Sequence, residues 1–392
     1  MRVLLVSPRP LEPVRRGHQL RALQLVRALV ELGHSATLLA PADGARDERG
    51  ADGVRRVTVR ESGGRTAFGV LRALAAGLPA QAGIHGGPAL AGAAAALARD
   101  ADLVVLQLAR LGPLQPSVGA VPVVFDLIDS LALNFERRAR FERAGLAALV
   151  RFEARRLLAF ERRLVASSRG AWLVTDRDRA WLAERLPAAE AGKLATLPLA
   201  VEPLAAAALG RPAGATPRAP QAMITGNLGY FPTRQGACAF LAAAWPQVAA
   251  RRPGLELVLA GARPPGSLRR AAARAGARLI ADPPDLPALL RAADLALVPL
   301  EAGSGVPIKM LEAWSAGVPV VATSWAAAGA DGRAGVDHLA ADTSEAWADA
   351  VDRLLGRPAE ALALAAAGRA RLAERWSRER LSAALAAALT AL

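Results

Sequence analysis

Cysteine is almost absent. Cys238 is the only one in 392 residues, so no disulfide can form within the chain, and its Ala-Cys-Ala-Phe setting suits a buried thiol rather than a ligand or nucleophile. Four histidines do not cluster with it, so no metal set is legible. Aromatic residues make up 4% and no nucleic-acid module is recognisable, which argues against a nucleic-acid partner despite the basic charge. Long apolar runs are also missing. The uncharged stretch Ala73 to Ala98 is mostly alanine and is broken by Gly77, Pro79, Gly86, Gly87 and Pro88, too interrupted to span a membrane and read here as a loop with a small helix. Met1-Arg-Val-Leu-Leu-Val runs straight into a strand with no leader pattern, so a cytoplasmic location is expected.

Hydrophobic residues make up 53% and charged residues 21%. That supports sizeable cores and excludes a disordered or collagen-like chain, and the length suits two domains. The net charge of +14 comes almost wholly from arginine, a bias consistent with genome-wide codon usage; only Lys193 and Lys309 occur among 49 basic residues. Where arginine serves nearly everywhere, a lysine invites a local explanation.

Short β-type runs alternate with longer helical patterns, the signature of parallel α/β layers. The first half gives Arg2 to Val6, Ser35 to Ala40, Arg55 to Arg60, Leu103 to Gln107, Val121 to Phe125 and Ala171 to Thr175. The second gives Ala222 to Thr225, Glu256 to Ala260, Ala277 to Ala281, Leu295 to Pro299, Val318 to Ala322 and His338 to Ala341. The expected architecture is α/β: a domain over residues 1–198, a Pro/Gly/Ala-rich linker over 199–219, a second domain over 220–373 and a final helical segment over 374–392. The two doubly wound domains should face each other across a cleft, with ligands at the carboxyl ends of their strands.

The most informative stretch is Glu301-Ala-Gly-Ser-Gly-Val-Pro-Ile-Lys-Met-Leu-Glu-Ala-Trp-Ser-Ala-Gly-Val-Pro-Val-Val-Ala-Thr323. A strand leads into the turn Gly303-Ser304-Gly305, then into a helix opened by Pro307 and closed by Gly317. Free N–H groups and the positive end of the helix dipole make such a terminus an anion site. Lys309 in the first turn opposes the dipole, a cost that a bound phosphate offsets. Glu312, one turn on, is suited to accept hydrogen bonds from ribose or sugar hydroxyls. The alternative is an ordinary surface pair at i, i+3.

This run resembles the nucleotide-sugar motif of group 1 glycosyltransferases (family 4, GT-B fold), in the branch that builds polysaccharides and glycoconjugates. Arg16-Gly-His-Gln-Leu-Arg after the first strand and Gly226-Asn-Leu-Gly-Tyr-Phe-Pro-Thr-Arg234 are similar to the family's first-domain and donor-domain loops. The resemblance implies two Rossmann-like domains, with the acceptor bound mainly by the first and the nucleotide-sugar by the second, and a terminal helix returning to the first. It also implies retention at the anomeric carbon and no catalytic metal or other cofactor.

The departures from the pattern are specific. Ser304 holds the place of the motif's first glutamate, and Asn227 the place of an arginine. Arg234 and Lys309 would then neutralise the diphosphate. Gly17, beside Arg16 and His18, resembles the glycine loop that approaches donor phosphate or acceptor. Asp129 and, after it, Asp126 at the end of a central strand are the candidates for taking the acceptor's proton; capping of the next helix by Asp129 or Ser130 is the bland alternative. Tyr230 and Phe231 could stack on a base or sugar, or simply pack under the loop.

Glu136 to Arg169 carries ten arginines and four glutamates with interleaved phenylalanines. The preferred reading is a solvated helix with Glu/Arg pairs outward and phenylalanine and leucine inward; contact with an anionic membrane at the inner face is the alternative. The function expected is sugar transfer from a nucleoside diphosphate sugar to a hydroxyl of a glycan, lipid-linked or small-molecule acceptor. A nucleotide-sugar epimerase on the same fold, or a non-catalytic relative that binds a glycan or partner, are the alternatives.

Overall fold

A computed structural model describes residues 1–11, 17–61, 66–205 and 219–392. The chain divides into two compact units, Met1–Ala200 with Arg378–Leu392, and Val201–Ser377.

The first unit is built on a sheet of β1 (Arg2–Val6), β2 (Ser35–Ala42), β3 (Arg46–Arg49), β4 (Arg55–Arg60), β5 (Leu103–Gln107), β6 (Val123–Ile128), β7 (Gly170–Leu173) and β8 (Leu194–Thr196). Their spatial order is β3-β4-β2-β1-β5-β6-β7-β8. Every pairing is parallel except β3 with β4. Central strands such as β5 are buried along their whole length, as a parallel sheet covered on both faces requires, and hence read as continuous apolar runs. The last helix, Arg378–Thr390, buries Leu381, Leu385 and Leu389 in the same apolar cluster as Leu25 and Leu29 of the helix Gly17–Glu31. Arg378 also pairs with Glu31.

The second unit holds β9 (Gln221–Asn227), β10 (Glu256–Ala262), β11 (Arg278–Ala281), β12 (Leu295–Val298), β13 (Val320–Ala322) and β14 (Leu339–Ala340). The order is β11-β10-β9-β12-β13-β14, all parallel. This is the doubly wound order 3-2-1-4-5-6, whose winding reverses between β9 and β12 and leaves a crevice at their carboxyl ends. Phe240 packs edge-on to Trp347, ring centres 5.1 Å apart, in the core beneath.

Several elements differ from expectation. β3 and β8 are additional: β3 is four exposed charged residues, Arg-Asp-Glu-Arg, held at the sheet edge partly by the ion pair of Arg55 with Asp47. The helical region after β9 is three pieces, Phe231–Ala239, a π-helical turn Phe240–Ala244 and Trp245–Arg251. Pro246 accounts for the break, because it has no N–H for the helical ladder. The span 73–98 holds the end of the helix Thr66–Ala75, a short turn Ala80–Gly83 and the helix Pro88–Ala98. No helix of the described residues is long and apolar enough to cross a membrane. Of the expected linker, residues 206–218 lie outside the described residues. Val201–Ala205 is bound into the second unit: Val201 N–H donates to Trp376 O at 2.7 Å, and Arg369 donates to Leu204 O at 2.8 Å.

Candidate active site

The crevice between β9 and β12 is assembled from two loops and two helix starts. Gly226, the last residue but one of β9, has a φ of 117° that is open to glycine. The chain turns at Tyr230 N–H to Asn227 O, 3.0 Å, and enters the helix Phe231–Ala239 with Pro232 in its first turn. β12 leads through Pro299 to Gly303 and Gly305, both left-handed with φ of 99° and 71°, and then to the helix Ile308–Ser315. Gly236 and Gly303 knit these parts together. A Cβ at 236 would lie 1.8 Å from Pro299 O, and one at 303 would lie 3.1 Å from Pro232 Cγ. Gln235 donates to Glu301 at 2.9 Å, and Thr323 Oγ1 donates to Leu300 O.

Ile308–Ser315 turns Met310, Leu311 and Trp314 into the core, which leaves Lys309 and Glu312 half-buried at the crevice. The Lys309 ammonium donates to Thr233 Oγ1 at 2.8 Å rather than pairing with Glu312. Its Cε passes Gly226 so closely that a Cβ there would be 3.2 Å away. Burial pushes the Lys309 pKa down to about 8, with the Glu312 charge opposing the shift. Burial pushes Glu312 up, opposed by Lys309. A desolvated cation beside two left-handed glycines and a helix N-terminus is an arrangement that an anionic ligand would complete. Thr233 and Gly226, which hold this lysine, were not singled out by the sequence; Thr233 lies 76 residues from its partner.

Ser304 stands between the two glycines and is half-buried. Arg234 lies over the Phe231 ring, 5.7 Å from its centre, and Tyr230 is 46% exposed.

In the first unit, Gly17 is the first residue of its helix, while Arg16 lies outside the described residues. Gln107, buried at the end of β5, donates to His18 O at 3.0 Å and shares a hydrogen bond with Ser7 at 3.3 Å, so it pins the start of this helix to the sheet.

The two aspartates part company. Asp126 was expected just beyond a strand ending at Phe125, but β6 continues to Ile128 and carries Asp126 into the interior. There it is fully buried in an ion pair with fully buried Arg21, whose Nη2 lies 2.9 Å away. Arg21 also donates to Leu197 O and Pro198 O at 2.7 and 2.9 Å. Asp126 is thus placed as the buried counter-ion of Arg21 rather than at an open strand end.

Asp129 remains half-buried just past the carboxyl end of β6, after Ile128, whose φ of 67° is unusual for a β-branched residue. Ser130, not Asp129, caps the helix Leu131–Ala139, accepting from Leu133 N–H at 3.1 Å. Glu161 of the long helix Ala144–Ser167 completes the cap, accepting from Ser130 Oγ at 2.7 Å and Leu131 N–H at 2.6 Å. Burial raises its pKa to about 8, against those hydrogen bonds and with the help of the Asp129 charge.

The fold is the GT-B architecture of glycosyltransferases. The whole chain aligns with sucrose-phosphate synthase from Thermosynechococcus elongatus at 16% identity, covering 98% of that chain with a TM-score of 0.75. It aligns likewise with HepE of Anabaena, solved with UDP and glucose, at 14% identity, full coverage of both chains and a TM-score of 0.67. With α,α-trehalose 6-phosphate synthase from Burkholderia multivorans the identity is 16%, the coverage 99% and 96%, and the TM-score 0.69. No curated protein matches the sequence. Residues 219–357 match the family model described as glycosyl transferases group 1. That match lies within the second unit and covers most of it, so the likeness to group 1 glycosyltransferases rests on that unit.

Proposed function

We propose that this enzyme transfers a sugar from a nucleoside diphosphate donor to a hydroxyl acceptor, with retention and without a metal. The observation that carries the reading is the Lys309 ammonium, held by Thr233 at the β9/β12 crevice beside Gly303, Gly305 and the start of Ile308–Ser315. As the glycosidic bond breaks, negative charge gathers on the departing diphosphate. A fixed cation and a helix N-terminus stabilise that charge without reorganising. Arg234 would supply a second positive charge, and Glu312 would accept from ribose or sugar hydroxyls. Asp129 is the proposed acceptor of the hydroxyl proton.

HepE is described in complex with UDP-glucose, so UDP-glucose is the first donor to test. The synthases of sucrose phosphate and trehalose phosphate among the similar structures point the acceptor screen to sugar phosphates, ahead of glycan and lipid-linked hydroxyls. The experiment is calorimetric titration of the full chain with UDP, UDP-glucose and the GDP, TDP and ADP counterparts, repeated on Lys309→Ala and Glu312→Ala. Selective binding by one nucleotide class, weakened in both folded variants, is expected. Equal affinity in the variants would remove the site.

A further inference from the structure

Six of the ten exposed large hydrophobic residues among those described lie in two helices of the first unit. On Ala144–Ser167 they are Leu146, Leu149 and Phe152, exposed by 43%, 62% and 57%. On Thr66–Ala75 they are Phe68, Leu71 and Leu74, exposed by 67%, 65% and 40%. Spacing by three sets each trio along one side of its helix. This reverses part of the sequence expectation, which turned the phenylalanines inward: Phe160 is buried, but Phe152 faces out.

The two helices are tied together. Arg156 lies 5.6 Å from the Phe152 ring centre and donates to Leu78 O at 2.6 Å, while Glu153 accepts from Gln81 N–H at 3.4 Å. Leu78 N–H in turn bonds to Ala73 O, in the last turn of the helix that carries Leu74. The turn Ala80–Gly83 packs on that helix through Gly69 and Gly83, where a Cβ on either would lie within 2.3 Å of the other's carbonyl oxygen. Through Arg156, Phe152 thus stands near the turn that follows Thr66–Ala75, and each helix carries its apolar residues as a trio rather than singly.

The charges on the long helix are sorted. Arg151, Arg155, Arg162 and Arg163 are exposed. Both acids of the helix turn inward, Glu161 to the cap at Ser130 and Glu153 to Gln81 and Arg156.

We propose that this face docks on an anionic lipid bilayer, with leucine and phenylalanine entering the headgroup boundary and the arginines meeting lipid phosphates. A second copy is a poor occupant, because a twofold interface would set the same arginines against each other.

The test is flotation of the full chain with phosphatidylglycerol-containing vesicles and with pure phosphatidylcholine vesicles. Wild-type protein is expected to float with the anionic vesicles only. Leu149→Ser/Phe152→Ser and, independently, Phe68→Ser/Leu71→Ser should weaken this roughly tenfold or more, with melting temperatures unchanged because these side chains are already in water. Arg151→Ala/Arg155→Ala should weaken it about 30-fold, from roughly 1 kcal/mol per basic residue. Wild-type protein left at the bottom with anionic vesicles would overturn the proposal. So would serine variants that float like wild type, or variants that instead dissociate a dimer or abolish capture of an acidic protein while leaving flotation intact.

Discussion

Lys309 reaches its hydrogen bond with Thr233 by passing directly over Gly226, where any Cβ would stand 3.2 Å from the lysine Cε. The glycine near the end of β9 and the lysine of the helix that follows β12 are one device. Gly226→Ala should therefore weaken donor binding by at least roughly tenfold, since it displaces the cation and forces φ near 117° on a residue with a side chain, a cost of about 1–3 kcal/mol. UDP titration with a parallel melting curve checks this; unchanged affinity would separate the lysine from the glycine.

The pH dependence of donor affinity follows from the same lysine. Its pKa in the free protein is lowered to about 8, and a bound diphosphate favours the charged form and raises it. Affinity should be flat below pH about 8 and fall by up to about tenfold per pH unit above it. Lys309→Arg, charged throughout, should lose that decline even if its affinity is lower. Titrations across this range provide the check.

Asp126→Ala should destabilise the first unit by about 3–5 kcal/mol, because Arg21 would be left as an uncompensated buried charge. UDP binding by the second unit should persist where the variant is folded. Urea unfolding read beside nucleotide titration tests both halves, and an inactive variant of normal stability would instead give Asp126 a catalytic part.

Glu161 predicts a stability profile of definite sign. Its pKa is raised from 4.5 to about 8 on folding, so the folded state holds the extra proton. The stabilisation is complete below about 4.5 and is lost as pH rises through about 8. Urea midpoints should fall over this interval in the wild type and fall less in Glu161→Gln.

Much of this fold is legible in the sequence because parallel strands buried on both faces announce themselves as short apolar runs; each of the twelve expected strands corresponds to one in the structure within a few residues. The two unread strands fail that rule for opposite reasons. β3 has no apolar residue, and β8 has only three residues in all.

Within the candidate site, local chemistry was readable and distant partnership was not. Gly303, Gly305 and Lys309 stand out because glycine punctuates a turn and lysine is rare here. Thr233 is an ordinary helical threonine until folding brings it to Lys309 across 76 residues. Asp126 and Arg21 are 105 residues apart, and a strand end misplaced by three residues was enough to move that aspartate from the strand's carboxyl end into the interior.

The inward turn of Glu153 and Glu161 gives the outer side of Ala144–Ser167 a polarity that composition understates. Acids held inside screen poorly at a distance, whereas the four outward arginines project their field into solvent. Any polyanion should therefore be drawn to this side from afar in dilute salt. That attraction should fade at physiological ionic strength, where the screening length is about 8 Å, leaving the leucine and phenylalanine side chains to hold what the arginines have gathered.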